Sequence, residues 1–376
     1  MKSKNVLFAF VTIIIGFLVP LLVLEIILRF LPVNTGLKTM PVNEANPVQR
    51  FTPNQDFTFS KGWFFDIVNH GHVNNFGYVN DIDYEPKKTT PLLAVVGDSY
   101  IEAVMVPYEE TLQGRLKRSL ENSGNRVYSF AASGAPLSQY LVFAQYARDV
   151  FHPVGLVVVI IGNDFDESLC TYSIGVAQHC YQRADSKGLV LKRIDYKPTM
   201  LKKIARKSAL IRHIHRNTSG LRFKILATKH KQGNVKYVGN KRADFDQQRL
   251  NLSKKAVDQF LIDLPERSGI SPENIVFVVD GLRPELYHAE SLPDVKDSYV
   301  AIMREYFISL ANTKGFEVID MQPHFIKRHL RDQVRFEFAN DGHWNGTGHS
   351  EASSAVEQSS MFKRLFKQDN PQELSL

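Results

Sequence analysis

Leu156–Ile161 reads Leu-Val-Val-Val-Ile-Ile, an unbroken apolar and mostly β-branched run. Such a run leaves no polar face for solvent. It fits a strand buried on both sides, as in a parallel sheet covered by helices above and below. Leu92–Val96, Val127–Phe130, Asn274–Val279 and Glu317–Ile319 are further strands. Thr111–Leu120, Leu137–Arg148, Ser253–Leu264 and Asp297–Thr313 carry helical periodicity between them, and Gly348–Phe366 reads as a closing helix. The alternation predicts an α/β body with a parallel sheet. At 376 residues, 44% hydrophobic and 23% charged, the chain is long and apolar enough to bury one. Functional groups in open parallel sheets gather off the carboxyl ends of the strands. Three strands end there in Gly97-Asp98-Ser99, Ala131-Ala132-Ser133-Gly134 and Gly162-Asn163-Asp164.

A second run constrains location. Asn5–Leu24 is free of charge, and as a helix it spans ~30 Å, the thickness of a bilayer core. Lys2 and Lys4 precede it, which favours a cytoplasmic N-terminus. The run is longer than the core of a cleavable signal and lacks an Ala-x-Ala site, so an uncleaved single-pass anchor is expected over residues 5–31. Residues 32–90 read as a linker and N-terminal extension, with Pro32, Pro41, Pro47 and Pro53 in the linker part. Residues 91–366 form the α/β body, enlarged by a basic insertion over 165–250.

Serine needs a histidine base, an orienting carboxylate and donors for the developing oxyanion before it becomes a useful nucleophile. Ser99 offers its hydroxyl and its backbone N–H, Gly134 a second N–H, and Asn163 a side-chain amide. Asp341-Gly342-His343-Trp344-Asn345 supplies an acid and a base beyond the last strand. These four blocks, in this order over about residues 91–350, resemble those of the SGNH (GDSL-like) hydrolases. The resemblance implies a three-layer, flavodoxin-like α/β/α sandwich and ester hydrolysis or acyl transfer without a cofactor. By its pattern Ser99 is the nucleophile, His343 the base and Asp341 its orienter, with Ser99 N–H, Gly134 and Asn163 as the oxyanion hole. Two departures stand out. Asp341 and His343 are two residues apart where the usual family block has three, a variant similar to that of anchored polysaccharide acetyltransferases. Ala103 stands where many members have glycine. The anchored layout is similar to that of bacterial inner-membrane proteins with a periplasmic catalytic body, which implies an O-acylated, chiefly O-acetylated, envelope or exported carbohydrate as substrate. The alternative is a non-catalytic glycan-binding or assembly protein on the same scaffold, a reading that gains if Ser99 and His343 lie far beyond hydrogen-bond range.

Other groups have plainer expected roles. Asp98 braces the turn beside the nucleophile, Asp164 is a loop or cap residue, and Trp344 walls the pocket or packs. His349 competes with His343 for the role of base, but it falls at the start of the closing helix. His70 with His72, and His213 with His215, lack a third ligand at metal-binding spacing, so no metal is expected. Cys170 and Cys180 are too few for a four-thiolate zinc site and pair if their compartment is oxidising. Basic residues outnumber acidic ones by 46 to 39, but residues 183–242 hold 18 of the bases and two of the acids. The excess therefore belongs to the insertion. There Leu201, Ile204, Ser208, Ile211 and His215 fall near one helical face, with Lys202, Lys203, Arg206 and Arg212 elsewhere. This segment is an interfacial helix on anionic lipid, a basic lid for an anionic glycan, or a solvated insertion. Nothing interleaves aromatic and basic residues as a nucleic-acid site does.

Overall fold

The computed structural model describes residues 2–173, 175–184, 188–218, 237–238, 241–283, 285–287 and 295–367. Strands β3 (Leu92–Gly97), β4 (Arg126–Ala131), β5 (Gly155–Ile160), β10 (Ile275–Val279) and β11 (Glu317–Asp320) form one sheet in the order β11-β10-β5-β3-β4. All four pairings are parallel. Numbered along the sheet's own chain order this is 2-1-3-4-5, a doubly wound arrangement whose direction of winding reverses between β3 and β5.

Successive residues of each strand point to opposite faces, and here both sets are apolar. Ala94, Val96, Phe130, Val158 and Phe277 enter one buried cluster. It also holds Leu141 of α4 (Leu137–Phe151), Phe260 of α7 (Gln247–Ser268) and Phe307 of α8 (Tyr299–Thr313). Leu93, Val95, Val157, Val159 and Val278 enter a second. It holds Leu116 of α3 (Leu112–Ser119), Phe325 of α9 (Met321–Asp332), Val356 of α10 (Gly346–Gln358) and Met361 of α11 (Ser360–Phe366). Two cores, one on each side of the sheet, make three layers. The segment expected as one closing helix is two, because Ser359 leaves the helical region with ψ 152° and caps α11 by accepting from Phe362 N–H.

Helix α1 (Lys2–Arg29) precedes the body, and Phe8–Arg29 within it is long and apolar enough to cross a membrane. Residues 32–55, expected as a linker, are instead packed against the body. Val42 pairs with Tyr196 in an antiparallel bridge, and Val33, Val42, Val48 and Phe51 are buried. A turn further along the chain holds part of this segment in place. Asn74 Oδ1 accepts from Phe76 and Tyr78 N–H, and Gly77 takes φ 82° where a side chain would strike Phe51 O. The antiparallel hairpin of β1 (Gln55–Lys61) and β2 (Ile67–Val73) sends Phe57, Phe59, Ile67 and Val73 into the first core. Asn69 Nδ2 donates to the Val104 and Val106 carbonyls, which ties this hairpin to the chain just after Ser99.

The insertion after β5 contains the short helix α5 (Asp164–Glu167). A second hairpin follows, β6 (His179–Ala184) and β7 (Gly188–Arg193), then α6 (Met200–Ala205), a helical stretch at 209–218, and the small strands β8 (Tyr237–Val238) and β9 (Lys241–Arg242). A disulfide joins Cys170 to Cys180 at the root of the β6–β7 hairpin.

Candidate active site

Ser99 begins the short helix α2 (Ser99–Glu102) directly after β3. Asp98 caps this helix, its Oδ1 accepting from Tyr100 N–H at 2.9 Å. The turn closes through Ala103, which adopts φ 44°, a left-handed value at the position where glycine is the easier residue. Ser99 Oγ lies 2.8 Å from His343 Nε2 and 3.2 Å from Asp98 Oδ2. His343 Nδ1 is bonded to Asp341 Oδ1, which also accepts from His343 N–H at 3.1 Å. With Nδ1–H directed at the carboxylate, Nε2 is free to accept the serine proton.

The two-residue spacing of acid and base has a local explanation. Asp341 and His343 lie in β13 (Asp341–Trp344), which pairs with β12 (Glu337–Phe338). In extended chain, residues i and i+2 share a face. Asp341 and His343 therefore project together, while Gly342 between them turns its carbonyl away to accept from Tyr100 Oη at 2.9 Å and Arg283 Nη1 at 3.3 Å. Trp344 is fully buried and donates to Asp280 Oδ1 at 2.9 Å. Arg283 also reaches Asp280 Oδ2 at 2.7 Å, Glu337 Oε2 at 3.1 Å and Tyr100 Oη at 3.1 Å. One buried guanidinium thus joins the end of β10, strand β12, the residue after Ser99 and the histidine loop.

Asp341 has a second partner, Lys61 Nζ of β1, at 2.9 Å from Oδ2. Burial works to raise this carboxyl's pKa. The hydrogen bond and charge of His343, together with Lys61, outweigh it and hold the group well below the usual carboxylate range. Sequence spacing offered no sign of Lys61, nor of Tyr100 and Arg283 as braces.

Gly134 and Asn163 end strands on either side of β3, whose Gly97 pairs with Ala131 of β4 and whose Val96 pairs with Val158 of β5. Gly134 takes φ 72°. It borders a cavity of about 470 Å³ lined also by Glu102, Ser133, Gln178, Phe59 and Arg216. Asn163 caps α5 by position, and its Nδ2 donates to Glu167 Oε2 at 3.2 Å, leaving the other amide hydrogen for a ligand. Asp164 is fully buried, accepting from Ile161 N–H at 2.7 Å and Tyr140 Oη at 3.0 Å, and so braces this loop. His349 lies in the core. Its Nδ1 accepts from Leu112 N–H at 3.2 Å, and burial depresses its pKa to about 3, so it is no rival to His343. His70 shares a hydrogen bond with Thr58, and His72 with Asp56. Among the described residues, no three His, Cys, Asp or Glu side chains are grouped to hold a metal ion.

Glu102 is the unforeseen acid. It is buried three residues after Ser99 and accepts from Ser133 Oγ. Burial, with Asp98 nearby, pushes its pKa up to about 7. Below about pH 4.5 folded and unfolded chains both hold this proton. Between about 4.5 and 7 only the folded chain does, so stability falls as pH rises, by about 3 kcal/mol in all. Glu102→Gln is expected to remove this loss. Its urea midpoint should exceed that of the parent at pH 8 and not at pH 4.5; parallel midpoints at both values would rule the buried acid out.

No model of a known protein family matches the chain, and no curated protein does. It is similar to solved structures of an acetyl xylan esterase (11% identity over 70% of this chain and 97% of that one, TM-score 0.39) and of a lipase/acylhydrolase from Enterococcus faecalis (10%, 74% and 100%, 0.39). It is also similar to a psychrotrophic esterase from a Pseudoalteromonas species (9%, 74% and 99%, 0.36). Likenesses this distant say nothing about activity.

Proposed function

We propose that the chain is an SGNH-type serine ester hydrolase or O-acyltransferase, held by one membrane-spanning helix, that acts on an acylated carbohydrate outside the cytoplasm. The observation that carries this reading is the continuous relay Ser99 Oγ–His343 Nε2, His343 Nδ1–Asp341. A wide separation of Ser99 and His343 would favour the non-catalytic alternative, and the 2.8 Å contact withholds that support.

Ser99 Oγ attacks the acyl carbonyl as His343 Nε2 takes its proton. Asp341 accepts from Nδ1–H and stabilises the imidazolium that forms. Negative charge on the tetrahedral oxygen falls to Ser99 N–H, Gly134 N–H and the Asn163 amide, at the crevice where the winding reverses. His343 then protonates the departing alcohol, leaving an acyl-Ser99. Water releases the acid in a hydrolase; a sugar hydroxyl takes the acyl group in a transferase. Lys61 keeps Asp341 charged and is a positioning residue. The mixed polar and apolar cavity beside Gly134 suits a sugar, with Glu102, Ser133 and Gln178 available to its hydroxyls. The disulfide and the lysines at the start of α1 support a body in an oxidising, extracytoplasmic compartment.

The full chain, solubilised in mild detergent, is to be treated with a fluorophosphonate. The expected result is a single adduct on the peptide containing Ser99, absent in Ser99→Ala and strongly slowed in His343→Ala. An unlabelled parent chain overturns the reading. Acyl analysis of surface carbohydrates from cells with the parent or the Ser99→Ala chain then identifies the substrate.

A further inference from the structure

Where α1 ends, the body does not simply begin. Glu25, one turn before the end of α1, accepts from Ser208 Oγ at 2.8 Å, Ala209 N–H at 3.1 Å and Leu210 N–H at 2.9 Å. It therefore caps the helical stretch at 209–218. Leu28 and Val33 pack with Ala209, and Arg212 Nη1 donates to Asn34 O at 3.2 Å. Four residues of helix rise ~6 Å, so Glu25 sits close to the depth at which α1 ends, and its cap holds the start of the 209–218 stretch beside that exit.

The surface around that exit is both apolar and basic. Phe30 and Leu31 are exposed at the end of α1, and Ile211 and Ile214 on the 209–218 stretch. Met200, Leu201 (78% exposed) and Ile204 are exposed on α6. The turn between β1 and β2 adds Trp63 and Phe64, the latter 91% exposed. This turn belongs to the same surface: Trp63 and Phe65 contact the His213 ring, and Gly62 N–H donates to Asn217 Oδ1 at 2.9 Å. Lys202, Lys203 and Lys207 are exposed among these residues, and no acid occurs between Asp195 and the end of the 209–218 stretch. Apolar side chains of this size are rarely left in water in such a group.

We propose that this face is a seat on the bilayer. Phe30, Trp63, Phe64, Leu201 and Ile204 enter the boundary of headgroups and acyl chains, while the lysines meet anionic phospholipid headgroups. The occupant is the membrane that α1 crosses, because the cap on Glu25 makes the face continuous with the exit of that helix. The inference rests on α1 spanning a bilayer and goes beyond the catalytic reading.

The chain has two tryptophans, and Trp344 is fully buried, so Trp63 reports on the seat. The full chain is to be placed in nanodiscs of phosphatidylcholine, with or without phosphatidylglycerol, made with ordinary or brominated acyl chains. Brominated lipid is expected to quench about half or more of the emission that Trp63→Phe removes. Quenching should fall at least two-fold without phosphatidylglycerol, or when Lys202, Lys203 and Lys207 are all changed to Gln. A chain held in the disc with Trp63 unquenched overturns the seat. Equal quenching with and without phosphatidylglycerol overturns the role given to the lysines. A chain that never enters the disc denies the anchor itself, a separate failure.

Discussion

His343→Ala is expected to lower kcat for ester hydrolysis by about 10⁴-fold or more, with KM little changed, because it removes the imidazole that is hydrogen-bonded to Ser99 and held by Asp341. Asp341→Asn should fall to the same order. A neutral amide cannot stabilise the imidazolium, and its NH₂ group disfavours the Nδ1–H tautomer that Asp341 now selects. The two effects should not add, since both residues act on one proton transfer. Steady-state kinetics on a soluble acetyl ester measure all four chains: the parent, the two single variants and the double variant. A His343→Ala enzyme within ten-fold of the parent would refute the relay.

Arg283→Met should cost about 3–5 kcal/mol of stability, a loss read as a lower urea midpoint of the full chain. It leaves Asp280 and Glu337 buried without their shared cation. Burial opposes the charge on Arg283, but Asp280, Tyr100 and Glu337 more than compensate and push its pKa well above the usual value. Arg283→Lys should recover little, because one ammonium cannot reproduce a fork that spans Asp280, Glu337, Tyr100 and the Gly342 carbonyl. A lysine variant as stable as the parent would show that charge alone matters there.

Local pattern carried the sheet and the first half of the site. Unbroken apolar runs can be strands only if both faces are covered, and each such run ended on a glycine-bearing turn at the same edge. The Asp341–His343 spacing is irregular only against the three-residue spacing of the usual family block. In β13 the pair is simply i and i+2 on extended chain. What sequence left out are contacts between distant segments. Lys61 lies 280 residues from Asp341, and Arg283 lies 183 from Tyr100. No periodicity links such positions. The packing of residues 32–55 is hidden for a related reason: prolines and asparagines mark turns whether a turn is solvated or held against a core, and only distant partners, such as Tyr196 for Val42, decide between them.

The spread of the relay along the chain also sets an order of events during biogenesis. Ser99 leaves the ribosome 244 residues ahead of His343. At ~5–20 residues per second, roughly 12–50 s separate the two. Throughout that interval the anchor and the serine are already made while the base and its acid are not. On the proposed mechanism the nascent enzyme is therefore inert during its synthesis. It gains ester-cleaving power only when β13 is made and docks onto an early segment that already presents Lys61 and Ser99.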